Sequence, residues 1–208
     1  MSDVLIAYTT NSGSTDAVAR AVGDELAQCG LEVEVRRIEE IESVAGYRSV
    51  IVGGPMIMGW HREAAKFLKR HESALNHIPV ALFFTCMSLT QTGDTQVQDV
   101  PVFVDPALPQ PPKKPGRLTF KERYATLPKY LGPVLRSVPA VTPVSAAFFG
   151  GRLELFRLKL LQMLFVMIII GAQPGDRRNW NAVREWSTGL APLLRQGQEQ
   201  SADAVKTG

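Results

Sequence analysis

The chain has 208 residues, enough for one α/β domain with a sizeable core and too few for two ordinary ones. Hydrophobic residues make up 45% of it, which excludes a disordered or fibrous protein. The net charge of +3 is uneven, because residues 1–90 carry 8 Lys/Arg and 11 Asp/Glu whereas residues 91–208 carry 15 and 9. The second half therefore either faces an anionic partner or is simply a solvated basic surface.

The N-terminus and the cysteines predict a cytoplasmic location. Met1-Ser2-Asp3 leads straight into an apolar run, without a basic leader or a small-residue cleavage site. Cys29 and Cys86 lie far apart and form no CxxC, so we expect two reduced thiols. Four-cysteine metal and iron–sulfur frameworks are excluded by count, and we predict no metal site. Nothing in the sequence indicates nucleic-acid binding, and it predicts no particular oligomeric state.

Apolar runs and helical periodicities alternate along the first ninety residues and return near residue 145. They predict, in order, a strand at Val4–Tyr8, a helix bearing Val18, Val22 and Leu26, an edge strand over 31–36, a strand at Val50–Gly54, a helix from about His61, and strands at Val80–Thr85 and Ser145–Phe149. Such alternation indicates βαβ units and a five-stranded parallel sheet with helices on both faces. The fold class is thus a three-layer α/β sandwich.

A long insertion, about residues 90–140, follows the fourth strand. Residues 90–118 contain six prolines and Lys113, Lys114 and Arg117, and proline at that density predicts a surface loop with no ladder or helix interior. A helix over 120–138 is expected next, interrupted near Pro128 and Pro133.

The most apolar segment is 153–170, LELFRLKLLQMLFVMIII. Charged and polar residues in its first half argue against a membrane span, which leaves a buried core helix or a helix lying at a membrane surface. The last helix is expected from about Asn179, with an apolar stripe of Trp180, Val183, Trp186, Leu190 and Leu194. The domain is predicted to cover 1–196, and 197–208 to be a flexible tail.

The chemistry is indicated by the turn between the first strand and the first helix, which reads Thr10-Asn11-Ser12-Gly13-Ser14-Thr15. A phosphate monoester there would meet unpaired backbone N–H groups, hydroxyl donors and the positive end of the helix dipole. Gly13 allows positive φ and close approach of the backbone. The turn carries no lysine and no GxGxxG, so it is neither a Walker loop nor a dinucleotide turn; the alternative is an ordinary Ser/Thr-rich helix cap.

These residues resemble the phosphate loop of the flavodoxin family. The resemblance implies strand order 2-1-3-4-5 and bound FMN at the carboxyl ends of the strands. It also implies that two further loops hold the flavin ring: here Pro55-Met56-Ile57-Met58-Gly59-Trp60 and Thr85-Cys86-Met87-Ser88-Leu89. Trp60, Met58, Met87 and Leu89 offer flat or polarizable surface for such a ring; the alternative for Trp60 is a core aromatic. We expect Cys86 to line the pocket rather than perform thiol chemistry, and His61 to cap a helix rather than act on the ring.

A narrower resemblance is to the menaquinone-dependent protoporphyrinogen oxidase branch of flavodoxin-like proteins. It rests on residues 4–89, the run Ala146–Gly151, the apolar segment, and Gly175-Asp176-Arg177-Arg178-Asn179-Trp180. It implies an FMN-dependent enzyme that oxidises protoporphyrinogen IX, or a similar reduced substrate, with a quinone. The alternatives are an electron-transfer flavodoxin without its own substrate and, more weakly, an NAD(P)H:quinone reductase.

Two surface features bear on the partners of such an enzyme. Arg177 and Arg178 are candidates for binding a substrate carboxylate, with a surface ion pair as the alternative. Peripheral membrane contact at the inner face is expected through 153–170 and the basic loop. Catalytic residues are not predicted.

Overall fold

The computed structural model describes residues 2–206 apart from 12, 58, 115 and 154–174. In chain order the strands are β1 (Val4–Tyr8), β2 (Val33–Arg37), β3 (Ser49–Pro55), β4 (Val80–Cys86), β5 (Leu89–Thr90), β6 (Gln96–Val97), β7 (Val100–Val104), β8 (Pro109–Gln110), β9 (Ser145–Gly150), β10 (Arg152–Leu153) and β11 (Gly175–Asp176). The helices are α1 (Ser14–Gln28), a 3-10 helix (Ile38–Glu40), α2 (Arg62–Arg70), α3 (Glu72–Leu75), α4 (Phe120–Tyr124), α5 (Leu127–Ser137) and α6 (Trp180–Lys206).

The main sheet has the order β2-β1-β3-β4-β9-β7-β6. Its first five strands are parallel and follow the predicted order 2-1-3-4-5, so the flavodoxin-like α/β fold class is confirmed. The register pairs Tyr8 with Gly53, Pro55 with Thr85 and Cys86 with Gly150. The carboxyl ends of β1, β3, β4 and β9 therefore meet at one edge, which we call the cofactor edge.

The prediction of five strands and of an insertion without a ladder was wrong. β7 pairs in parallel with β9 through Val102–Val104, and β6 pairs antiparallel with β7. Proline is tolerated in β7 because Val102 N donates to Thr95 O at 2.9 Å, which makes Pro101 and Gln96 a non-hydrogen-bonded pair. Pairing with β9 begins one residue later, so the missing N–H of Pro101 breaks neither ladder.

Two apolar layers cover the faces of the sheet. One joins α1 and α6 to the sheet through residues such as Val22, Phe83 and Trp186. The other joins α2 and α5 through Phe67 and Phe84. Burying each such side chain contributes about 1.5–3 kcal/mol before entropy is counted. The layers hold the strands, and hence the loops at the cofactor edge, in a fixed frame.

The α6 stripe is confirmed for Val183, Trp186, Leu190 and Leu194, which are buried. Trp180 is 43% exposed instead. It lies in the first turn, beyond the sheet layer, where the Arg178 guanidinium stacks over its ring at 4.9 Å.

The helix predicted over 120–138 is two helices. The break lies at Ala125–Thr126, and Pro128 is the second residue of α5, where no helical donor is needed. Pro133 lies inside α5.

Two predicted segments are only partly described. The apolar segment 153–170 lies outside the described residues except for Leu153, the last residue of β10. Helix α6 continues to Lys206, so the backbone of 197–206 is helical, while the flexibility of 197–208 and the 1–196 domain boundary stay predictions. Across the described ranges, no helix combines the length and apolarity needed to cross a membrane.

Candidate functional site

Four loops meet at the cofactor edge, one after each of β1, β3, β4 and β9. Three are the loops predicted from sequence, and the fourth is Gly150–Arg152. In open parallel sheets, ligands bind in the crevice outside the carboxyl ends of the strands. The four loops are tied together by hydrogen bonds that involve both backbone and side chains.

The first loop ends in a helix start that has no side-chain cap. Gly13 is the N-cap of α1, with φ of +85°, a left-handed conformation that favours glycine. Its N–H donates to Thr10 Oγ1 at 2.9 Å, which closes the turn. The next N–H groups, of Ser14, Thr15 and Asp16, lie in the first helical turn, where no intrahelical acceptor exists. This arrangement suits an anion.

The hydroxyls of the loop are engaged but keep protons to donate. Ser14 Oγ accepts from Arg152 N at 2.8 Å, and Thr10 Oγ1 accepts from Gly13 N, so both O–H groups can still donate. Thr15 Oγ1 and Thr85 Oγ1 lie 2.9 Å apart, and both residues are buried. Thr15 therefore joins α1 to β4. Ser12 lies outside the described residues.

The one acidic residue in the first turn of α1 is paired. Asp16 accepts from the Tyr8 hydroxyl and from Arg20 Nε at 3.2 Å. Partial burial works against ionisation, but these hydrogen bonds outweigh it and lower the pKa of Asp16. Its charge is balanced by Arg20, which limits repulsion of an anion at the helix start.

His61 connects the first loop to the second. Its Nδ1 accepts from Glu63 N at 3.4 Å, which caps α2 as predicted, and lies 3.4 Å from Thr9 Oγ1. Its Nε2 lies 3.1 Å from Asn11 Oδ1. With the proton on Nε2, Nε2 donates to the Asn11 amide oxygen and Nδ1 accepts from Glu63 N beside the Thr9 hydroxyl.

The second loop is a tight turn that directs its tryptophan inward. Ile57 N donates to Gly59 O at 3.0 Å, and Gly59 has φ of +127°. The Trp60 ring packs on Phe84 with centroids 5.0 Å apart, and its Nε1 is buried without a partner among the described residues. Gly54 makes room for it, because a Cβ there would lie 2.9 Å from Trp60 Nε1. Trp60 is thus half-buried and packs against the hydrophobic core, and its contact with a flavin ring stays a prediction.

The remaining side chains of the second loop have different surroundings. Pro55 and Met56 are buried, and Met56 N donates to Thr85 O at 2.9 Å. Ile57 is 47% exposed at the surface. Met58 lies outside the described residues.

The third loop exposes only part of the predicted set. Thr85, Cys86 and Leu89 are buried, whereas Met87 is half-buried and Ser88 exposed. Burial raises the pKa of the Cys86 thiol to about 12, so it is protonated near neutral pH. A buried, protonated thiol is a poor nucleophile, which argues against thiol chemistry at Cys86.

The fourth loop was missed as part of the site, although its sequence ends a buried strand with two glycines. Gly151 N donates to Cys86 O at 2.9 Å. A Cβ on Gly151 would lie 3.5 Å from Met87 Sδ and 3.7 Å from Ser14 Oγ, so this residue borders both the first and third loops. A Cβ on Gly150 would lie 1.9 Å from Arg177 O, which leaves room only for glycine.

A buried carboxylate supports the fourth loop from behind. Asp105 is fully buried just after β7 and accepts from Gly150 N at 3.4 Å, Asn179 Nδ2 at 2.9 Å and Ala107 N at 3.0 Å. It therefore links the insertion, the end of β9 and the start of α6. No sequence pattern indicates this role, because Asp105 lies among prolines in a segment predicted to be a loop.

The two predicted carboxylate-binding arginines differ. Arg177 Nη1 donates to Met87 O at 3.1 Å, which places this guanidinium beside the third loop. Arg178 instead forms a bidentate pair with Asp176, at 2.8 Å and 2.5 Å, and lies over Trp180. This pair, helped by a backbone hydrogen bond, lowers the pKa of Asp176 to about 2 although desolvation opposes it.

The sheet order and the glycine-capped turn after β1 are together those of a flavodoxin-like α/β domain. The flavodoxin domain family matches residues 5–177, and the chain belongs to that family. It is thus a flavodoxin-like flavoprotein of the oxidoreductase and electron-transfer class.

Individual proteins resemble this chain at low sequence identity. Protoporphyrinogen IX dehydrogenase [quinone] of Escherichia coli (strain K12) is 29% identical over 82 residues, which cover 38% of this chain and 45% of the relative. A flavodoxin from the domain Archaea has TM-score 0.50 and 14% identity, covering 92% of this chain and 98% of its own. The rubredoxin oxygen:oxidoreductase of Desulfovibrio gigas has TM-score 0.51 and 12% identity, covering 93% of this chain and 36% of its own. The two structural matches concern the fold alone.

Proposed function

We propose that this chain binds FMN at the cofactor edge and oxidises protoporphyrinogen IX, or a similar reduced substrate, with a quinone as acceptor. The observation that carries the FMN assignment is the start of α1, where Gly13 in positive φ leaves the N–H groups of the first turn free for a phosphate. The family match supports a flavin at this place.

The ribityl phosphate is assigned to the N–H groups of Ser14, Thr15 and Asp16, with hydroxyl donors from Thr10 and Ser14. No lysine or arginine is needed there, because helix dipole and neutral donors already favour an anion. The flavin ring is assigned to the space between the second and third loops, where Ile57, Met87 and Ser88 are accessible. When bound, the flavin supplies the electron transfer itself. The chain's residues hold and orient it.

Residues at the edge of the third loop support a substrate that carries carboxylates. Arg177 is bonded to Met87 O through one nitrogen, and a guanidinium has further N–H donors in a fixed fork. Arg178 is a weaker candidate, because Asp176 already occupies its guanidinium. The enzyme assignment also draws on the name of the Escherichia coli relative, of which the aligned stretch covers less than half.

A pair of glycine variants tests the FMN site. Gly13→Ala forces a Cβ into positive φ at the phosphate loop, and Gly30→Ala does the same at the other end of α1, where φ is +83°. Each costs about 1–2 kcal/mol of backbone strain. We expect only Gly13→Ala to weaken FMN binding, by about tenfold or more, as measured by fluorescence quenching of FMN. Equal affinities for both variants would show that the phosphate lies elsewhere.

Turnover tests the reaction. The purified holoprotein, mixed anaerobically with protoporphyrinogen IX and a soluble quinone, should form protoporphyrin, which is detected by its fluorescence. If FMN binds but no porphyrin forms, while the reduced protein passes electrons to a redox protein, the chain is a flavodoxin-type carrier. A protein that takes up no flavin would overturn both assignments.

A further inference from the structure

One surface of the insertion is strongly basic and lies outside the cofactor site. Residues 106–144 contain seven Lys/Arg and one Asp/Glu, Glu122. The exposed side chains around α4 include five cations and one phenylalanine, which together we call the α4 surface: Lys113, Lys114, Arg117, Phe120, Lys121 and Arg123. Phe120 is 82% exposed, the most exposed large hydrophobic side chain among the described residues.

The single acidic residue of this segment points back into its own loop. Glu122 Oε1 accepts from Lys113 N at 2.8 Å, and Oε2 accepts from Thr119 N at 2.7 Å in a capping box. These two backbone hydrogen bonds lower the pKa of Glu122. The carboxylate therefore shapes the loop from inside, and the outward charge of the α4 surface is positive.

The helix is held in place against the body of the protein. Thr90 N donates to Ala125 O at 2.6 Å, and Thr90 Oγ1 donates to Glu122 O at 2.8 Å. Tyr124 packs edge-on against Tyr130, with centroids 6.4 Å apart. Because Thr90 lies just beyond the third loop, the α4 surface stands next to the cofactor edge.

We propose that the α4 surface binds an anionic lipid bilayer, with Phe120 entering the interface and the surrounding cations meeting the head groups. A free small anion would gain nothing from Phe120, whereas a bilayer offers phosphates above an apolar layer. The exposed cations would meet the phosphates, and the Phe120 ring beside them would reach the apolar layer. Such contact would bring the flavin edge close to lipid-soluble molecules. The binding itself rests on the α4 surface alone and does not require flavin or turnover.

Flotation of the full chain with vesicles tests the proposal. We expect binding to vesicles of phosphatidylcholine mixed with phosphatidylglycerol, little binding to phosphatidylcholine alone, and loss of binding as salt rises. Lys121→Gln with Arg123→Gln should weaken binding about 25-fold, since each cation contributes about fivefold near an anionic surface. Phe120→Ser should weaken it about tenfold.

Control variants separate surface binding from folding and from net charge. Lys69→Gln with Arg70→Gln removes the same charge from exposed positions at the end of α2 and should leave vesicle binding within about twofold. Phe120→Ser should unfold at the same temperature as the parent, because the side chain is exposed. If the parent protein does not bind anionic vesicles, or if the α2 variant loses as much affinity as the α4 variant, the proposal is overturned. FMN affinity, measured in parallel, keeps this result separate from the flavin assignment.

Discussion

The cofactor edge and the α4 surface differ in how they treat polar groups. At the cofactor edge, Thr15, Thr85 and Ser14 are buried and bonded to neighbours in the chain. At the α4 surface the cations are exposed, and the Glu122 carboxylate accepts hydrogen bonds from the backbone of its own loop. The first region thus holds neutral donors in fixed positions, as the proposed FMN site needs, and the second presents positive charge to solvent. Thr90, just beyond the third loop, joins the two regions, because its N and Oγ1 donate to Ala125 O and Glu122 O.

The cofactor edge should fail most severely where its backbone is closest packed. Gly150→Ala places a Cβ 1.9 Å from Arg177 O, and a backbone atom cannot move aside as a side-chain tip can. We expect a loss of about 4 kcal/mol in the free energy of unfolding, measured with urea. Gly189→Ala, on an open face of α6, is the control and should gain about 1 kcal/mol. Similar losses in both variants would contradict the packing argument.

Loss of the buried carboxylate behind the fourth loop should have the next largest effect. Asp105→Ala leaves the buried Gly150 N and the half-buried Asn179 Nδ2 without their acceptor, so we expect a loss of about 3 kcal/mol in unfolding free energy. Asp94→Ala, an exposed aspartate of the same insertion, should change it by less than about 0.5 kcal/mol. An Asp105→Ala protein as stable as the Asp94 variant would mean that the insertion is not anchored through this carboxylate.

The bridge at His61 should have the smallest effect, on ligand binding rather than stability. His61→Asn keeps a good N-cap for α2 but is too short to reach both Thr9 and Asn11. FMN affinity should fall about threefold to tenfold, since about one hydrogen bond's net worth is lost, while the unfolding temperature changes little. Isothermal titration measures the first and calorimetry the second. His77→Gln, at an exposed site, is the matched control, and an equal affinity loss there would remove the bridge from the site.

The parts of the fold that follow from local chemistry were predictable. The buried runs at β1, β3, β4 and β9 and the turn at Gly13 each carry a pattern that is read within a few residues. The errors arose where distant residues decide the outcome. Pro101 argues against a strand until the hydrogen-bond register against Gln96 is known, and no local pattern supplies that register.

The same limit applied at the site. Its glycine turn and loop positions came from the sequence, but the inward packing of Trp60 depends on Phe84, a residue 24 positions away. The fourth loop was missed because the need for glycine at position 150 comes from the close approach of Arg177 O. Arg177 is distant in sequence, so no local pattern indicates this contact.

The pairing of β7 with β9 has a consequence for protein engineering. In sequence the insertion looks like a loop that could be deleted, and replacing it with a short connection is an obvious way to make a minimal domain. Such a truncation would uncover the backbone of Ala146–Phe148, whose apolar side chains lie beside the freed ladder groups. A bare, hydrophobic rim of this kind invites stacking between molecules. To stay monodisperse, a shortened protein would therefore have to keep residues 100–104, or a substitute strand, to cover the edge of β9.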